Sequence, residues 1–319
     1  MARLFRNGAC CGQVASGIIG VLKQLGCFCF ETMKTPVIAS DWTRIVEYPD
    51  NHLNDFCMFR DLAGTWHCMG IMGTGTWESE QSLFHCSCRE LLGAYEIHPP
   101  LLTEVPAPDS GGNTAPGKHA PFVVERAGVY HLFYRRPPGT ILRVKSADPY
   151  EWTSLGEVVF ERNDARDVCI LEIEGIYHIY YCQLELFAGE NRSCIVLRRS
   201  RDLEDWGEPE VVYVDMMQTA VHSYLESPYV VQRPEGFYLF IRHRLLEEKC
   251  TTVVLFSERP DRFPTGERPW FHELDFVHAP EIVKHEGSHY IARVSGVKHA
   301  SLCAPAEGGW VEIARLEFL

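Results

Sequence analysis

Three acidic residues stand where strand-like runs begin. Asp55 opens "DFCMFRDLAGTWHCMG", Asp167 opens "DVCILEIEGIYHIYY" and Glu226 opens "ESPYVVQRPEGFYLFI". A strand gains nothing from a carboxylate at its head. Three carboxyls gathered in a concave, desolvated place cannot all ionise freely, because burial and mutual repulsion raise at least one pKa. One protonated and one ionised carboxyl are what glycosidic bond cleavage needs: an acid for the leaving oxygen, and a base or nucleophile. Glu226, flanked by Leu225 and Pro228, is expected to stay neutral and act as the proton donor. Asp55 is then the base or nucleophile. Asp167, next to Arg166, is expected to stay ionised and orient the substrate.

The elements that must position these groups follow from a repeat. "HAPFVVERAGVYHLFY" from His119 and "HAPEIVKHEGSHYIAR" from His278 superpose on the three acidic segments. Each of the five has a polar opening, an apolar run, a polar turn with glycine (Gly64, Gly128, Gly175, Gly236, Gly287) and an aromatic-rich run, which is a hairpin signal. Three units continue through "SADPYEW", "SRDLEDW" and "SERPDRF", each with a serine, an acidic turn and a closing aromatic. Four strands in about fifty residues is the period of a propeller blade. The spacing therefore predicts an all-β protein, a five-bladed β-propeller with four-stranded antiparallel blades around a central channel. The last unit is short, and "DWTRIVEY" (Asp41 to Tyr48) is the expected strand that completes it and closes the ring.

In a propeller the first strand of each blade lines the axis. This overlay puts Asp55, His119, Asp167, Glu226 and His278 at one mouth of the channel. The loops after the second strands supply the walls: Trp77, Arg135, Gln183, Arg242 and His243. Asn54 and Arg166 join them as neighbours of the two aspartates. Trp66, inside a strand-like run, reads as a core tryptophan. His119 and His278 read as structural or substrate-contacting. With the carboxylates they offer the alternative of a divalent cation in the channel; otherwise no cofactor is expected.

Composition narrows the partners. The chain has 319 residues, 46% hydrophobic and 23% charged, with a net charge of -13. Such an acidic balance argues against nucleic acid and anionic membranes as partners, whose binding rests on Lys and Arg. The 13 cysteines are odd in number and form no disulfide framework. Several sit in apolar runs as small hydrophobes, so a reducing, cytoplasmic setting is expected. Cys86 and Cys88 are too close for a zinc knuckle. Residues 1–32 are interrupted by Gln13, Lys23 and Gln24, and neither span a bilayer nor form a clean signal peptide. They are expected to be a poorly ordered extension ahead of a catalytic domain at 33–319.

With those residues in place, the chain resembles the five-bladed propeller glycosidases that join glycoside hydrolase families forty-three, sixty-two, thirty-two and sixty-eight. In the fructosidase branch the nucleophile sits in Asn-Asp-Pro, the stabilising aspartate in Arg-Asp-Pro and the acid in Glu-Cys; this chain has Asn54-Asp55, Arg166-Asp167 and Glu226-Ser227. In the arabinosidase and xylosidase branch the three acids open the first, third and fourth blades, and "ESPYVV" and "HAPFVV" resemble its openings. The departures are Phe56 and Val168 for proline, and Ser227 for cysteine. The resemblance covers about residues 42 to 319. It implies a hydrolase for a furanoside or pentoside of arabinose, xylose or fructose in a small or oligomeric substrate. It leaves open a retaining or an inverting course. A phosphorylase or transglycosylase, with Arg135, Arg136, Arg242 and His243 as an anion site, and a non-catalytic sugar-binding propeller are the alternatives.

Overall fold

The computed structural model describes residues 32–319, apart from 75–78, 103–116, 153–155, 218, 221–222 and 296–307, and apart from the side chains of 247–248. The expected extension at the N-terminus and Trp77 lie outside the described residues.

The fold is a five-bladed β-propeller. Strands β1 (Pro36–Ile38) and β2 (Thr43–Tyr48) come first and are discussed with the last blade. Blade 1 is β3 (His52–Arg60), β4 (Trp66–Gly73), β5 (Ser82–Cys88) and β6 (Glu96–Leu101). Blade 2 is β7 (His119–Arg126), β8 (Val129–Arg136), β9 (Thr140–Ser146) and β10 (Glu157–Glu161). Blade 3 is β11 (Arg166–Ile173), β12 (Ile176–Phe187), β13 (Glu190–Ser200) and β14 (Glu210–Val214). Blade 4 is β15 (Leu225–Arg233), β16 (Gly236–His243), β17 (Thr252–Ser257) and β18 (His272–Leu274). Blade 5 is β19 (Glu281–His285), β20 (Ser288–Ser295) and β21 (Gly309–Phe318). Each is an antiparallel meander, and the first strands β3, β7, β11, β15 and β19 neighbour one another in a closed ring.

Both expected termini close the last blade. β2 pairs β21 from Thr43↔Ile313 to Tyr48↔Gly309, as the Asp41–Tyr48 segment suggested. β1, which the sequence pattern did not single out, pairs the other end of β21 from Pro36↔Phe318 to Ile38↔Leu316. N- and C-terminal segments thus share one sheet, and the ring has no free seam.

The long apolar runs are explained by burial on both faces. Alternate side chains of one strand enter different interblade cores. Ile179 and Tyr181 pack toward blade 2, whereas Tyr180 and Cys182 pack toward blade 4. Leu239 and Ile241 face blade 3, whereas Tyr238 and Phe240 face blade 5. Trp66 is in the core between blades 5 and 1, its ring edge-on to His285.

Turn chemistry repeats with the blades. Ala127–Gly128, Glu174–Gly175 and Glu286–Gly287 have positive φ at both residues, the backbone of a tight type I′ hairpin. The serines of the three "S…W/F" segments end β9, β13 and β17. Ser146, Ser200 and Ser257 each accept a backbone N–H two residues on, which folds the acidic turn.

Candidate active site

The axial site is set by one irregularity repeated around the ring. In β3, β7, β11 and β15 an extra residue bulges from the first strand near its start. The residue there has positive φ in four blades: Ala120 (47°), Asp167 (56°), Ser227 (48°) and Ala279 (50°). Register fixes the equivalences. His119 faces Arg135, Arg166 faces Cys182, Glu226 faces Arg242 and Asn54 faces Ile71. His278 holds the same place in blade 5, where its carbonyl accepts from the Val294 N–H. One ring is therefore Asn54, His119, Arg166, Glu226 and His278. The next ring along the axis is Asp55, Ala120, Asp167, Ser227 and Ala279.

This corrects the overlay expected from sequence. Asp55 and Asp167 do not occupy the position of Glu226; each sits one residue further along its strand. A bulge re-aims a side chain without leaving a residue-type signature of its own. All three carboxyls still converge. Ser227 ties them: its hydroxyl donates to Asp55 Oδ1 at 3.0 Å, and its backbone N–H donates to Asp167 Oδ2 at 3.1 Å. Below them the axis narrows to a cavity of about 20 Å³ lined by Asp55, Asp167, Ser227 and Glu281, among others. That is room for about one water molecule.

The proton positions also differ from expectation. Burial and the nearby Asp167 and Glu226 carboxyls push Asp55 well above the usual carboxylate range, against the Ser227 hydrogen bond. Asp167 is raised too, chiefly by burial, although Arg166 opposes this. Burial also works against ionised Glu226, but the guanidiniums of Arg166, Arg242 and Arg244 outweigh it and pull the group down to about 2. The arginines thus favour the ionised form of Glu226, opposite to the expected neutral acid, while burial favours the protonated form of Asp55 and, less strongly, of Asp167. Leu225 and Pro228 are indeed neighbours of Glu226, but charges from adjacent strands decide the outcome.

The cations reach Glu226 from three directions. Arg242 Nη1 lies 2.8 Å from Oε2 across the β15–β16 ladder. Arg166 Nη2 lies 3.6 Å from Oε1 and also donates to the Leu225 carbonyl at 3.1 Å. Arg244 Nη1, from the short 3-10 segment Arg244–Lys249 after β16, lies 3.5 Å from Oε1.

The remaining expected residues divide. His278 Nε2 bonds Asn54 Oδ1 at 2.8 Å, joining the ring across the blade 5–blade 1 seam. His119 Nε2 lies 3.4 Å from Glu80 Oε2, while the other oxygen of Glu80 bonds His52 at 2.9 Å. Burial lowers both ring histidines, His278 to about 3 and His119 to about 4, so both are neutral. Arg135 pairs Asp164 at 3.0 Å, and Asp164 also holds the Ser223 N–H. His243 is not a wall residue: it is fully buried, 3.4 Å from Asp215 and against the Trp270 ring. Gln183 is buried as well, and its amide donates to Glu185 on the extended β12–β13 hairpin. Both assignments failed because the segments taken as loops continue as strand, which turns alternate residues inward.

Ser227, Arg244, Glu80 and Glu281 were missed. Ser227 and Glu281 lie inside quoted repeat segments, "ESP" and "HAPE", and Glu281 stands where other blades carry Phe122, Cys169 and Tyr229. A carboxyl at an apolar repeat position is a legible signal. Burial raises Glu281 strongly, and its Oε2 has no partner in the structure.

The two histidines of the cation alternative have partners within the protein. His119 and His278 are engaged by Glu80 and Asn54, and the guanidiniums of Arg166 and Arg242 already compensate the ring. Among the described residues no group of three or more His, Cys, Asp or Glu is placed to hold a metal ion.

No protein-family model and no curated protein matches the chain. Solved structures do. The β-xylosidase RS223 superposes with a TM-score of 0.63 at 15% identity, covering 87% of this chain and 95% of that one. A thermostable family-43 glycoside hydrolase gives 0.60 at 14%, covering 90% and 94%. The family-32 β-fructofuranosidase of Bombyx mori gives 0.58 at 14%, covering 85% of this chain and 61% of its own. At these identities the likeness is one of fold: the chain shares the five-bladed propeller on which these glycosidases are built.

Proposed function

We propose that the protein is a glycoside hydrolase whose reacting groups are Asp55 and Glu226, with Asp167 orienting the sugar. The reading is carried by the convergence of three carboxyls on one propeller axis, Asp167 buried and Asp55 and Glu226 half-buried, two of them with opposed proton affinities. Environments that drive two carboxyls apart are how a site assigns acid and base roles. One carboxyl biased toward its protonated form and one biased toward its ionised form are what general acid and base catalysis of one displacement requires. The neighbours include a β-xylosidase, an exo-1,5-α-L-arabinanase and a family-43 enzyme from Xanthomonas citri that was crystallised with xylotriose. That favours pentosides and furanosides as substrates.

Two assignments share this geometry. The resemblance makes Glu226 the acid and Asp55 the base. The proton affinities favour the reverse, with Asp55 as acid. Ser227, Arg166 and Arg242 hold both carboxyls in place in either case. His119, Asn54 and His278, neutral and uncharged, suit contact with sugar hydroxyls around the mouth.

The test is turnover of aryl α- and β-arabinofuranosides, xylosides and fructose-containing oligosaccharides by wild type, Glu226→Gln and Asp55→Asn. Hydrolysis lost by about 10²–10⁴-fold in both variants supports the reading. Turnover unaffected by either substitution contradicts it.

A further inference from the structure

A second group of polar side chains lies off the axis, on the outer strands of blade 1. On β5, Phe84 and Cys86 enter the core between blades 5 and 1, so His85 and Ser87 face blade 2. His67, cross-strand partner of Ser87, shares that face. Asp61, in the turn after β3, accepts the Thr65 N–H on Oδ1 at 2.7 Å, and its Oδ2 lies 3.2 Å from His67 Nε2. His67 Nδ1 lies 2.9 Å from His85 Nε2. Both histidines are fully buried, and among the described residues His85 Nδ1 has no partner. Burial lowers both imidazoles, His85 to about 3, so each carries one ring proton. That fixes the tautomers. A carboxylate only accepts, so the His67 proton is on Nε2. His67 Nδ1 then accepts from His85 Nε2–H, and His85 Nδ1 is left as an unused acceptor. A buried acceptor without a donor is costly. His85 borders a cavity of about 420 Å³ between β6 and the turn after β9, walled by His98, Pro99, Pro100, Tyr150 and Trp152. Ser87 Oγ lies 2.7 Å from His98 Nε2 and 3.2 Å from Tyr150 Oη, and the Trp152 indole N–H donates to the Pro149 carbonyl, so these rings are held in place. Glu151 is the one wall residue of fixed charge among those described. The two prolines lack N–H groups and do not invite a further strand onto β6.

We propose that this cavity is a second ligand site, which takes one neutral sugar residue with a hydroxyl donating to His85 Nδ1 and a C–H face against the Tyr150 and Trp152 wall. It lies apart from the axial carboxyls and does not depend on the glycosidase reading. The chemistry selects the ligand. The free acceptor needs a donor, and the aromatic wall needs a flat apolar face; a sugar ring offers both. Without an arginine or lysine on the described walls, a phosphate or carboxylate has no partner there. The volume suits a small ring. Asp61 acts as a positioning residue. It touches no ligand, yet it sets the direction of both imidazole protons. In Asp61→Asn the Thr65 N–H still needs the side-chain oxygen, so the amide N–H turns to His67 Nε2. Both histidines then reverse, and His85 Nδ1 becomes a donor.

The experiment is NMR of the full chain labelled with ¹⁵N-histidine, titrated with xylose, arabinose, fructose, glucose and galactose. Wild type is compared with Asp61→Asn and Trp152→Ala, and His85→Phe assigns the His85 signals. We expect His85 to be protonated on Nε2 alone, and at least one sugar to move its Nδ1 resonance. Asp61→Asn should move the proton to Nδ1 and weaken that sugar by about three- to tenfold, the worth of one hydrogen bond; the loss is partial because a hydroxyl can turn and accept. Trp152→Ala should weaken it by a similar factor while leaving the His85 tautomer unchanged. A wild-type His85 protonated on Nδ1, no sugar that moves its signal, or binding indifferent to both substitutions overturns the inference. Turnover of aryl glycosides, followed on the same proteins, should not change in Asp61→Asn or Trp152→Ala. Sugar binding at His85 with no glycoside turned over keeps this site and removes the hydrolase reading; turnover without it does the reverse.

Discussion

Glu226 and Arg242 are cross-strand partners in β15 and β16, and their side chains meet at 2.8 Å at the axis of the propeller. The pair places a cation behind the glutamate by register alone. In blade 2 the same register sets Arg135 behind His119.

Removing one member of such a buried pair should be expensive. Arg242→Met is expected to lower stability by about 3 kcal/mol, because a desolvated carboxylate loses its best partner. Chemical denaturation of the two single variants and of the Glu226→Gln/Arg242→Met double variant checks this. The double variant should be more stable than additivity allows, by about 0.5–3 kcal/mol of coupling.

Asp55 and Glu226 should affect stability with opposite sign. Asp55 is raised in the folded chain, so keeping a carboxyl there costs stability once the unfolded chain ionises. Asp55→Asn should therefore stabilise by about 1–2 kcal/mol near neutral pH, with a gain that shrinks to nothing toward pH ~4. Glu226 is depressed from 4.5 to about 2. Its contribution is present above about 4.5 and is lost as pH falls toward 2. Glu226→Gln should destabilise at neutral pH and matter little in strong acid. Thermal unfolding of both variants across pH decides it; shifts of the same sign would contradict the assigned proton affinities.

Ser227 should control Asp55 without being required for chemistry. Its hydroxyl lowers the Asp55 pKa, so Ser227→Ala should raise it further. If Asp55 is the base, the low-pH limb of kcat/KM then moves upward, with the optimum rate kept within about tenfold. Ser227→Gly should shift the limb in the same way, and it should be the more stable variant because φ at this position is 48°. An unmoved limb in both would exclude Ser227 from the control of Asp55.

Much of this was legible from residue order. The hairpin glycines, the serine turns and the two-sided apolar runs state the five blades directly. "HAP", "ESP" and "HAP" also align three blades correctly through their shared proline. Extending that frame to blades 1 and 3 puts Asn54 and Arg166, not the aspartates, opposite Glu226. The overlay matched charge to charge and missed the bulge, which costs one residue of register and is marked only by a small residue or aspartate at positive φ. The proton states were out of reach for a different reason. They depend on Arg242 and Arg244 from the next strand and the loop after it, and on Arg166 from the neighbouring blade. No spacing within one segment encodes those distances. The inward turn of Gln183 and His243 followed from strands running longer than their turn residues suggested.

The central claim is that Asp55 and Glu226 divide the acid and base roles. The most direct measurement is hydrolysis of aryl glycosides over a series of leaving-group pKa values by wild type, Glu226→Gln and Asp55→Asn. An acid is needed only for poor leaving groups, so loss of the acid is rescued by good ones. With Glu226 as the acid, Glu226→Gln should approach wild-type rates on dinitrophenyl glycosides, while Asp55→Asn stays about 10²–10⁴-fold slow on all of them. The mirror-image result would exchange the two roles. Equal, leaving-group-independent losses in both variants, or none in either, would contradict a carboxyl pair acting as acid and base at this axis.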